Sequence, residues 1–431
     1  MLSQATLQPA RAMDNPAPQP IVRGMAHDTD ILIVGGGLNG PCLALACAQA
    51  GLSSIVIDAL DEDVRSGDGF DGRSYALALA SVRMLTALGL WEDLAGHAQP
   101  ILQIKASDGR AGEGAAPFFL HFDSAELEEG PMGHMLEDRY LRRALLDAMA
   151  AEPKIDHRPG TTVTAQSTDG AAEVTLADGT TLTGRLLVGA DGRRSGTAAR
   201  AGIKRTGWAY GQIALVCAIA HERPHEGIAH QFFMPPGPLA ILPLPGNRSS
   251  IVWSEREADA RRLIAADDAA FLAHLRPRFG DFLGEISLAG HRYSYPLSLT
   301  IANAFVAERL ALVGDAAHGV HPIAGQGLNL GLRDVGALAE VLADAARRGE
   351  DIAAPDVLAC HQSWRRFDTA ALALATDGVN RLFSNDNPAL RLIRDLGMGA
   401  VGAMPTLRRG FMRQAAGLTG DLPRLLQGQA L

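Results

Sequence analysis

The sequence predicts an α/β fold: a doubly wound nucleotide-binding unit, an antiparallel sheet inserted into it, and helices toward the C-terminus. Three observations predict it. Apolar runs of strand length end in Gly and Asp chemistry at three separate places, after Ile57 together with Val34, after Val188 and after Val313. Between about residues 205 and 300 the pattern changes to short alternating segments. Beyond about residue 375, apolar runs mixed with arginines take over. With 431 residues, 47% of them hydrophobic, the chain has apolar mass for roughly two or three domains sharing cores.

The first element is Asp30-Ile31-Leu32-Ile33-Val34, a continuous apolar run of the kind that forms a parallel strand buried on both faces. GGGLNG follows it and supplies Gly35, Gly37 and Gly40 in GxGxxG spacing, and CLALACAQAG then reads as a helix. Residues 51–54 turn the chain into Ile55-Val56-Ile57, and Asp58 ends that strand eighteen positions after Gly40. The glycines permit a tight turn and close backbone approach, the helix N-terminus faces a pyrophosphate, and the acid accepts from ribose hydroxyls. An acid at that place favours an unphosphorylated ribose, as in FAD or NAD, over NADP.

Next, GRSYALALASVRMLTALGLW from Gly72 reads as an amphipathic helix with Arg73 just ahead of it. Asp138-Arg139-Tyr140-Leu141 opens another helix, with Asp138 as N-cap. Arg139 opposes the helix dipole there, which a bound anion or a ribityl oxygen would explain. Residues 161–166 and 172–176 read as strands joined through the turn at 177–180, and Arg185-Leu186-Leu187-Val188 as a buried strand that delivers Asp191-Gly192.

The inserted sheet is expected from strands at 213–219, 228–234, 239–244, 249–253 and 291–297, interrupted by one helical run over 257–275. Arg309-Leu310-Ala311-Leu312-Val313 returns as a strand of nucleotide-fold type and feeds GDAAHGVHPIAGQGLNLGLRDV. His318 and His321 lie three apart in it, but no third ligand has metal-site spacing, so no metal is expected.

Together these motifs resemble the group A flavoprotein aromatic hydroxylases, whose FAD domain is of the glutathione-reductase-like Rossmann type. GxGxxG at Gly35 to Gly40, Asp-Gly at Asp191-Gly192 and Gly-Asp at Gly314-Asp315 occur in that family's order, and the resemblance spans Asp30 to the C-terminus. GRSYALALASVRMLTALGLW, GDAAHGVHPIAGQGLNLGLRDV and the late TDGVNRLFSNDNPALRLIRDLG are similar to the branch that hydroxylates polyprenylated phenols in ubiquinone biosynthesis. The resemblance implies Gly35, Gly37 and Gly40 on the FAD pyrophosphate and Asp58 on the adenosine ribose. It implies Arg73 and Arg139 near the isoalloxazine and ribityl chain, and Asp315, after Gly314, accepting from ribityl hydroxyls. Backbone contacts to the flavin ring fall to Pro322 and to Gly325, Gln326, Gly327, Leu328 and Asn329. The Asp-Gly motif departs from the family's pattern: Ser195 is followed by Ala198, and Arg200 is displaced by two positions.

The implied reaction is reduction of FAD by transient NAD(P)H, capture of O2 as a flavin C4a-hydroperoxide, and oxygen transfer to a phenol ring. Only one dinucleotide fingerprint is present, so no second nicotinamide domain is expected, and no general base is assigned. His318 is expected as a structural partner in its turn and His321 near the flavin edge. The implied domains are an FAD domain from 29–100, 126–204 and 301–375, a substrate-binding sheet domain from 101–125 and 205–300, and a helical region over 376–431. Two other readings keep the flavin: a hydroxylase of a small soluble aromatic, and a non-catalytic subunit of a quinone-synthesis complex. A halogenase lacks its WxWxIP signature here.

Composition limits partners and place. A net charge of −9, a pI of about 5.8 and the lack of a basic tract argue against nucleic acid. Four cysteines sit in apolar runs without ligand spacing, which suits free thiols in a reducing compartment. Residues 1–28, rich in Ala, Pro and Gln, read as a disordered leader or an overlong start, since Met25 precedes the first strand; a mitochondrial transit peptide is the alternative. No apolar run reaches the ~18 to 20 residues of a membrane span. The C-terminal arginines, Arg381, Arg391, Arg394, Arg408, Arg409 and Arg413, suggest contact with anionic lipid. The expected place is cytoplasmic and peripheral to the inner membrane, or the mitochondrial matrix side, with possible membership of a ubiquinone-biosynthesis complex.

Overall fold

The first crossover unit consists of β1 (Thr29–Val34), α1 (Asn39–Gln49) and β2 (Ser54–Ile57). The structure is a computed structural model and describes residues 27–65, 67, 69–110, 112, 114–321, 323–384 and 388–431. The expected leader, apart from its last two residues, and Pro322 lie outside the described residues.

Along the chain there follow α2 (Glu62–Arg65), β3 (Ser74–Ala78), α3 (Leu79–Ala87), α4 (Trp91–Ala95), β4 (Gln99–Ile101), β5 (Gln103–Arg110) and β6 (Gly114–Asp123). Then come β7 (Gly133–Glu137), α5 (Asp138–Ala151), β8 (Ile155–Arg158), β9 (Val163–Ser167), β10 (Ala172–Leu176), β11 (Thr181–Gly189) and α6 (Gly196–Arg200). The long middle section holds β12 (Arg205–His221), β13 (Ile228–Phe233), β14 (Leu239–Leu244), β15 (Arg248–Arg256), α7 (Glu257–Ala265), α8 (Asp268–Phe279), β16 (Ile286–Leu288) and β17 (Tyr293–Ala302). The last part comprises β18 (Val306–Ala307), β19 (Leu310–Leu312), β20 (His318–Gly319), α9 (Gln326–Arg347), α10 (Pro355–Phe383), α11 (Pro388–Ala403) and α12 (Pro405–Ala415).

Among the described residues these strands form sheets of eight, nine and three. In the first sheet β19, β11, β1, β2 and β8 run parallel, in that order. Its central strand shows why the sequence reads as one apolar run. Ile31 and Ile33 enter the core shared with α1, α5 and α9, whereas Leu32 and Val34 enter a second core with Val174 and Leu312. The nine-stranded sheet runs β20-β17-β12-β15-β14-β13-β5-β6, with β16 also paired to β12, and is antiparallel except where β13 meets β5. Helices α7 and α8 cover one face of it through Leu215, Ile251, Trp253 and Phe271.

Three local expectations need correction. The run from Gly72 is not one helix: its first part is β3, paired antiparallel with β7, and the helix begins only at Leu79. Asn329, on α9, accepts from the Ala78 N–H and donates to the Ala76 carbonyl, so partners 250 residues away claim this backbone. Asp138 is not the cap of α5: Glu137 holds the cap position without a side-chain cap bond, and the Asp138 carboxylate accepts instead from Tyr75 and Arg142. The helical run at 257–275 is two helices, because Asp267 caps a new start by accepting from the Ala270 N–H.

The C-terminal helices fasten the two large sheets together. α11 lies against β6, and Arg394 forms a buried ion pair with Asp108 of β5 at 2.8 Å. Beyond α12 the chain returns to the parallel sheet's side, where Leu418, Leu425 and Leu426 enter the core of α1 and α9. Most of the arginines expected to face lipid are paired within the protein: Arg381 with Asp377, Arg394 with Asp108, Arg408 with Glu126 and Arg413 with Glu129. The side chain of Arg391 lies outside the described residues.

Arg394→Ala removes the buried cation held against the Asp108 carboxylate, a loss of about 3 to 5 kcal/mol. Urea unfolding is expected to show that loss, and limited proteolysis to cut first in residues 384–415. Wild-type stability with no new cleavage there would refute the role of the pair.

Candidate functional site

The site lies at the C-terminal ends of β1, β11 and β19, where their following loops meet the starts of α1 and α9. At the first loop, close packing dictates glycine. A Cβ on Gly35, whose φ is +117°, would stand 2.4 Å from the Ala190 carbonyl oxygen, and one on Gly40 would stand 2.0 Å from the Gly35 carbonyl oxygen. Gly36, which the motif leaves unspecified, is equally constrained: its Cβ would meet the Asp58 carboxylate at 2.5 Å. Gly37 faces open space.

Asp58 is buried at the end of β2, and its Oδ1 accepts from the Leu60 N–H. α1 begins with no side-chain cap and no acid in its first turn, so its leading N–H groups are left for a ligand. Asn39 stands at that start with a buried Oδ1 that no hydrogen bond satisfies. Its amide also approaches the other loops: a Cβ on Gly314 would come 2.1 Å from its Nδ2, and one on Gly331 2.5 Å.

At the second loop, the Asp191 carboxylate is engaged locally. It accepts from Ser195 Oγ at 2.5 Å and from the N–H and Oγ1 of Thr197, holding the turn into α6, and Gly192 takes φ +79° beside it. Arg193, next in the chain, donates to Asp315 Oδ2 at 3.0 Å. Arg205 braces the same region by donating to the carbonyls of Arg193, Asp315 and Ala316. Asp315 itself is more than a third exposed and faces outward.

The third loop hangs on Asp334 of α9, which is fully buried. Its Oδ2 accepts from the Gly314 N–H at 2.9 Å and meets His318 Nε2 at 2.5 Å, and its Oδ1 accepts from Arg365 Nε at 2.8 Å. Burial by itself would raise this carboxyl, yet His318 and Arg365 hold it well below the usual carboxylate range. His318 is therefore engaged in a structural bond. His321 is not: it is wholly buried and neither of its ring nitrogens has a hydrogen-bond partner.

α9 starts behind Gly325, at φ +64°, again with no side-chain cap and no acid in the first turn. Gly327 faces open space. The Asn329 side chain is spent on Ala76, Ala78, Ser81 and Gly325, so what α9 offers at this end includes the leading backbone N–H groups of Gly327 and Leu328. Arg73 pairs with Asp71 and Asp138 and lies 5.7 Å from the Tyr293 ring. Arg139 donates to the buried Glu137 and stacks over Tyr140, so its charge at the helix start has an internal counter-ion.

The structure thus brings the glycine turn, Asp58, Gly314, Asp315 and the start of α9 to one edge of the parallel sheet. Sequence reasoning passed over Asn39, Gly36, Asp334, Arg193, Arg205 and Arg365. The available signal was an acid, Asp334, inside the apolar stripe of an amphipathic helix, which requires buried partners. Two uncapped helix starts, a glycine cradle and an orphaned Asn39 oxygen fit a dinucleotide with a pyrophosphate and hydroxyl-bearing chains.

Comparison with known proteins agrees. Residues 28–362 match the model of the FAD binding domain family. The chain is 47% identical over 435 residues to the ubiquinone hydroxylase UbiL of Rhodospirillum rubrum, covering 100% of each. It is 36% identical over 395 residues to the 3-demethoxyubiquinol 3-hydroxylase of Escherichia coli, with 90% of this chain and 99% of that protein covered. The crystal structure of p-nitrophenol 4-monooxygenase PnpA from Pseudomonas putida shares the fold, with a TM-score of 0.75 at 20% identity over 91% of this chain and 98% of that one. Fold and site define a flavoprotein monooxygenase whose cofactor is FAD. The chain belongs to the FAD binding domain family, in its ubiquinone-biosynthesis hydroxylase branch.

Burial is the first cause that pushes the imidazoles of His321 and His361 down to about 4, from 6.5 in the unfolded chain. Below pH 6.5 the unfolded state takes up protons that the native state refuses, so stability is complete above that pH and falls as the pH drops toward 4. Each histidine contributes up to ~1.4 kcal/mol per pH unit across this window. Thermal unfolding measured between pH 7 and pH 5 is expected to show a falling Tm, and a flat profile would contradict both assignments.

Proposed function

We propose that this protein hydroxylates the aromatic ring of a polyprenylated phenol in ubiquinone biosynthesis, consuming O2 and NAD(P)H. The observation that carries this reading is the full-length relation to a ubiquinone hydroxylase, combined with two helix starts that have no side-chain cap and no acid in the first turn. Bound FAD supplies the hydride acceptance and O2 activation that no side chain offers.

The chain's residues hold and enclose. Gly35, Gly37 and Gly40 let the start of α1 approach the pyrophosphate, and Asp58 accepts from the adenosine ribose. Asp315, beyond Gly314, accepts from the ribityl chain, with Arg73, Arg139 and the Asp191-Gly192 turn around it. The backbone of residues 325–329 meets the flavin ring, where the α9 N-terminus favours negative charge. In this reading the FAD domain comprises 29–100, 126–204 and 301–375, the antiparallel sheet domain of 101–125 and 205–300 roofs the substrate, and 376–431 clamps the two. Excluding water from the roofed cleft keeps the activated oxygen for the ring.

Access from lipid rests on α10 and α12, since the arginines are internally paired. α10 exposes Phe367 by 78% and Leu374 by 70%, and α12 exposes Leu407 and Phe411. Ala370, Ala371, Ala375 and Gly378 are also exposed on α10 and extend its apolar face. No helix among the described residues is long and apolar enough to cross a membrane, so this is contact with a surface. The protein then works beside the inner membrane, in a ubiquinone-biosynthesis complex.

Purified holoenzyme is expected to oxidise NAD(P)H faster when a short-chain polyprenyl phenol is added, with hydroxylated product detected by mass spectrometry. No stimulation by any such phenol would defeat the reading. For the surface, co-sedimentation with anionic liposomes is expected to fall several-fold in a Phe367→Ser, Leu374→Ser double variant; equal pelleting of both proteins would remove α10 as the contact.

A further inference from the structure

Two arginines that no motif announces converge on the loop carrying Asp315. Arg193 follows the Asp191-Gly192 turn, where its Nε donates to Asp315 Oδ2 at 3.0 Å and its Nη2 to the Val320 carbonyl at 3.5 Å. Arg205, at the start of β12, grips main chain instead. Its Nη1 donates to the carbonyls of Arg193 and Ala316, and its Nη2 to the Asp315 carbonyl and Thr300 Oγ1. Loops 122 residues apart in sequence are thereby joined at one point of the cofactor edge.

The main chain around this pair is held from behind. Asp334 accepts from the Gly314 N–H, and Arg205 fixes the carbonyls of Arg193 and Asp315. What remains adjustable is the two side chains, and each is more than a third exposed. An ion pair so exposed adds little to folding, because water screens it and both side chains lose freedom in forming it. Its consequence is one of direction. A carboxylate has two accepting oxygens; Arg193 engages Oδ2, and among the described residues no hydrogen bond reaches Oδ1. An aspartate without that contact turns freely about its last torsion, whereas the pinned one presents Oδ1 in a single direction.

We propose that Arg193 is a positioning residue for the cofactor: by holding Asp315 Oδ2 it aims Oδ1 to accept a hydrogen bond from a hydroxyl of the ribityl chain. The inference rests on the reading above, in which Asp315 meets that chain, and adds the residue that aims it. Arg193 acts only through Asp315, so its effect vanishes where the carboxylate is absent. Arg205 has a different task, since it holds main-chain carbonyls and Thr300 and leaves the Asp315 carboxylate alone. The arrangement is ready before any ligand arrives, so FAD meets an acceptor already oriented and does not have to order it on binding.

The test is the rate at which FAD leaves the holoenzyme, followed by flavin fluorescence after dilution, in the parent protein, Arg193→Gln, Asp315→Asn and the double variant. Arg193→Gln is expected to release FAD about fivefold faster, the size of a well-placed exposed ion pair. Asp315→Asn should also release it faster, and the double variant should stay within about twofold of Asp315→Asn alone. Arg193→Lys, which keeps a charged donor, should recover part of the slow release, as a residue that merely fills space would not. For a variant that purifies without flavin, its affinity for added FAD replaces the release rate. Parent-like release from Arg193→Gln overturns the proposal, as does a double variant in which the two single effects multiply, or a lysine variant with no recovery. Parent-like release from Asp315→Asn instead removes the ribityl assignment of Asp315 itself, so the two failures are read from different proteins.

Discussion

One buried carboxylate organises the site. Asp334 sits on α9 with no solvent contact and joins two other segments through three groups: the Gly314 N–H and the His318 ring of one loop, and Arg365 of α10. An isolated charge at such a place is prohibitively costly, so its partners are obligatory rather than additive. Because Oδ2 holds both the Gly314 N–H and His318, the loop between them is fixed at two points against the same helix. That fixation directs Asp315 outward toward Arg193 and the cleft, and it delivers His321 beneath the antiparallel sheet. The starting point of α9 follows from the same anchor, since Gly325 and Asn329 close its first turn onto β3.

A second level of order comes from α10, which runs from the parallel sheet to the antiparallel one. Near its start, His361 and Arg365 are buried beside Leu312 and Asp334. Near its end, Asn380 donates to Gln212 of β12, Ser384 donates to Asn380, and the Phe383 ring packs tilted against Phe233. Arg394 then bonds the Leu382 carbonyl and Asp108 together. The antiparallel sheet is thus registered to the parallel sheet by α10, with polar contacts at both ends, and by α11 beside it, which resists sliding better than apolar packing alone because each buried polar partner must be matched.

The dinucleotide half was legible because its signals are local. Strand, glycines, helix and acid are adjacent in sequence, and the close approaches at Gly35 and Gly40 admit no side chain. The antiparallel sheet was legible from period-two alternation, since one face of it packs on α7 and α8. What was misread depends on partners far along the chain. β3 carries helix-like spacing, but β7 and Asn329 claim its backbone. Asp138 has the composition of a cap, but Tyr75 and Arg142 compete for its oxygens. The late arginines look like a basic surface until acids from residues 108, 126 and 129 are found against them. Gly36 was invisible for the same reason, since nothing in the motif reveals that Asp58 packs against its Cα.

The division of labour in the site follows from these constraints. At the cofactor edge, side chains are already committed: Asn329 to β3, Asp191 to Ser195 and Thr197, Asp334 to its three partners. What those commitments leave at this edge are the leading N–H groups of two helix starts that have no side-chain cap, and the Asn39 Oδ1. Across the cleft the situation reverses. The sheet contributes Gln231, Ala240, Val252 and Ser254 to a small cleft there, and the connecting segment contributes His321. A ring substrate differs from its competitors by where its polar substituents sit, and only directional side-chain groups distinguish such positions.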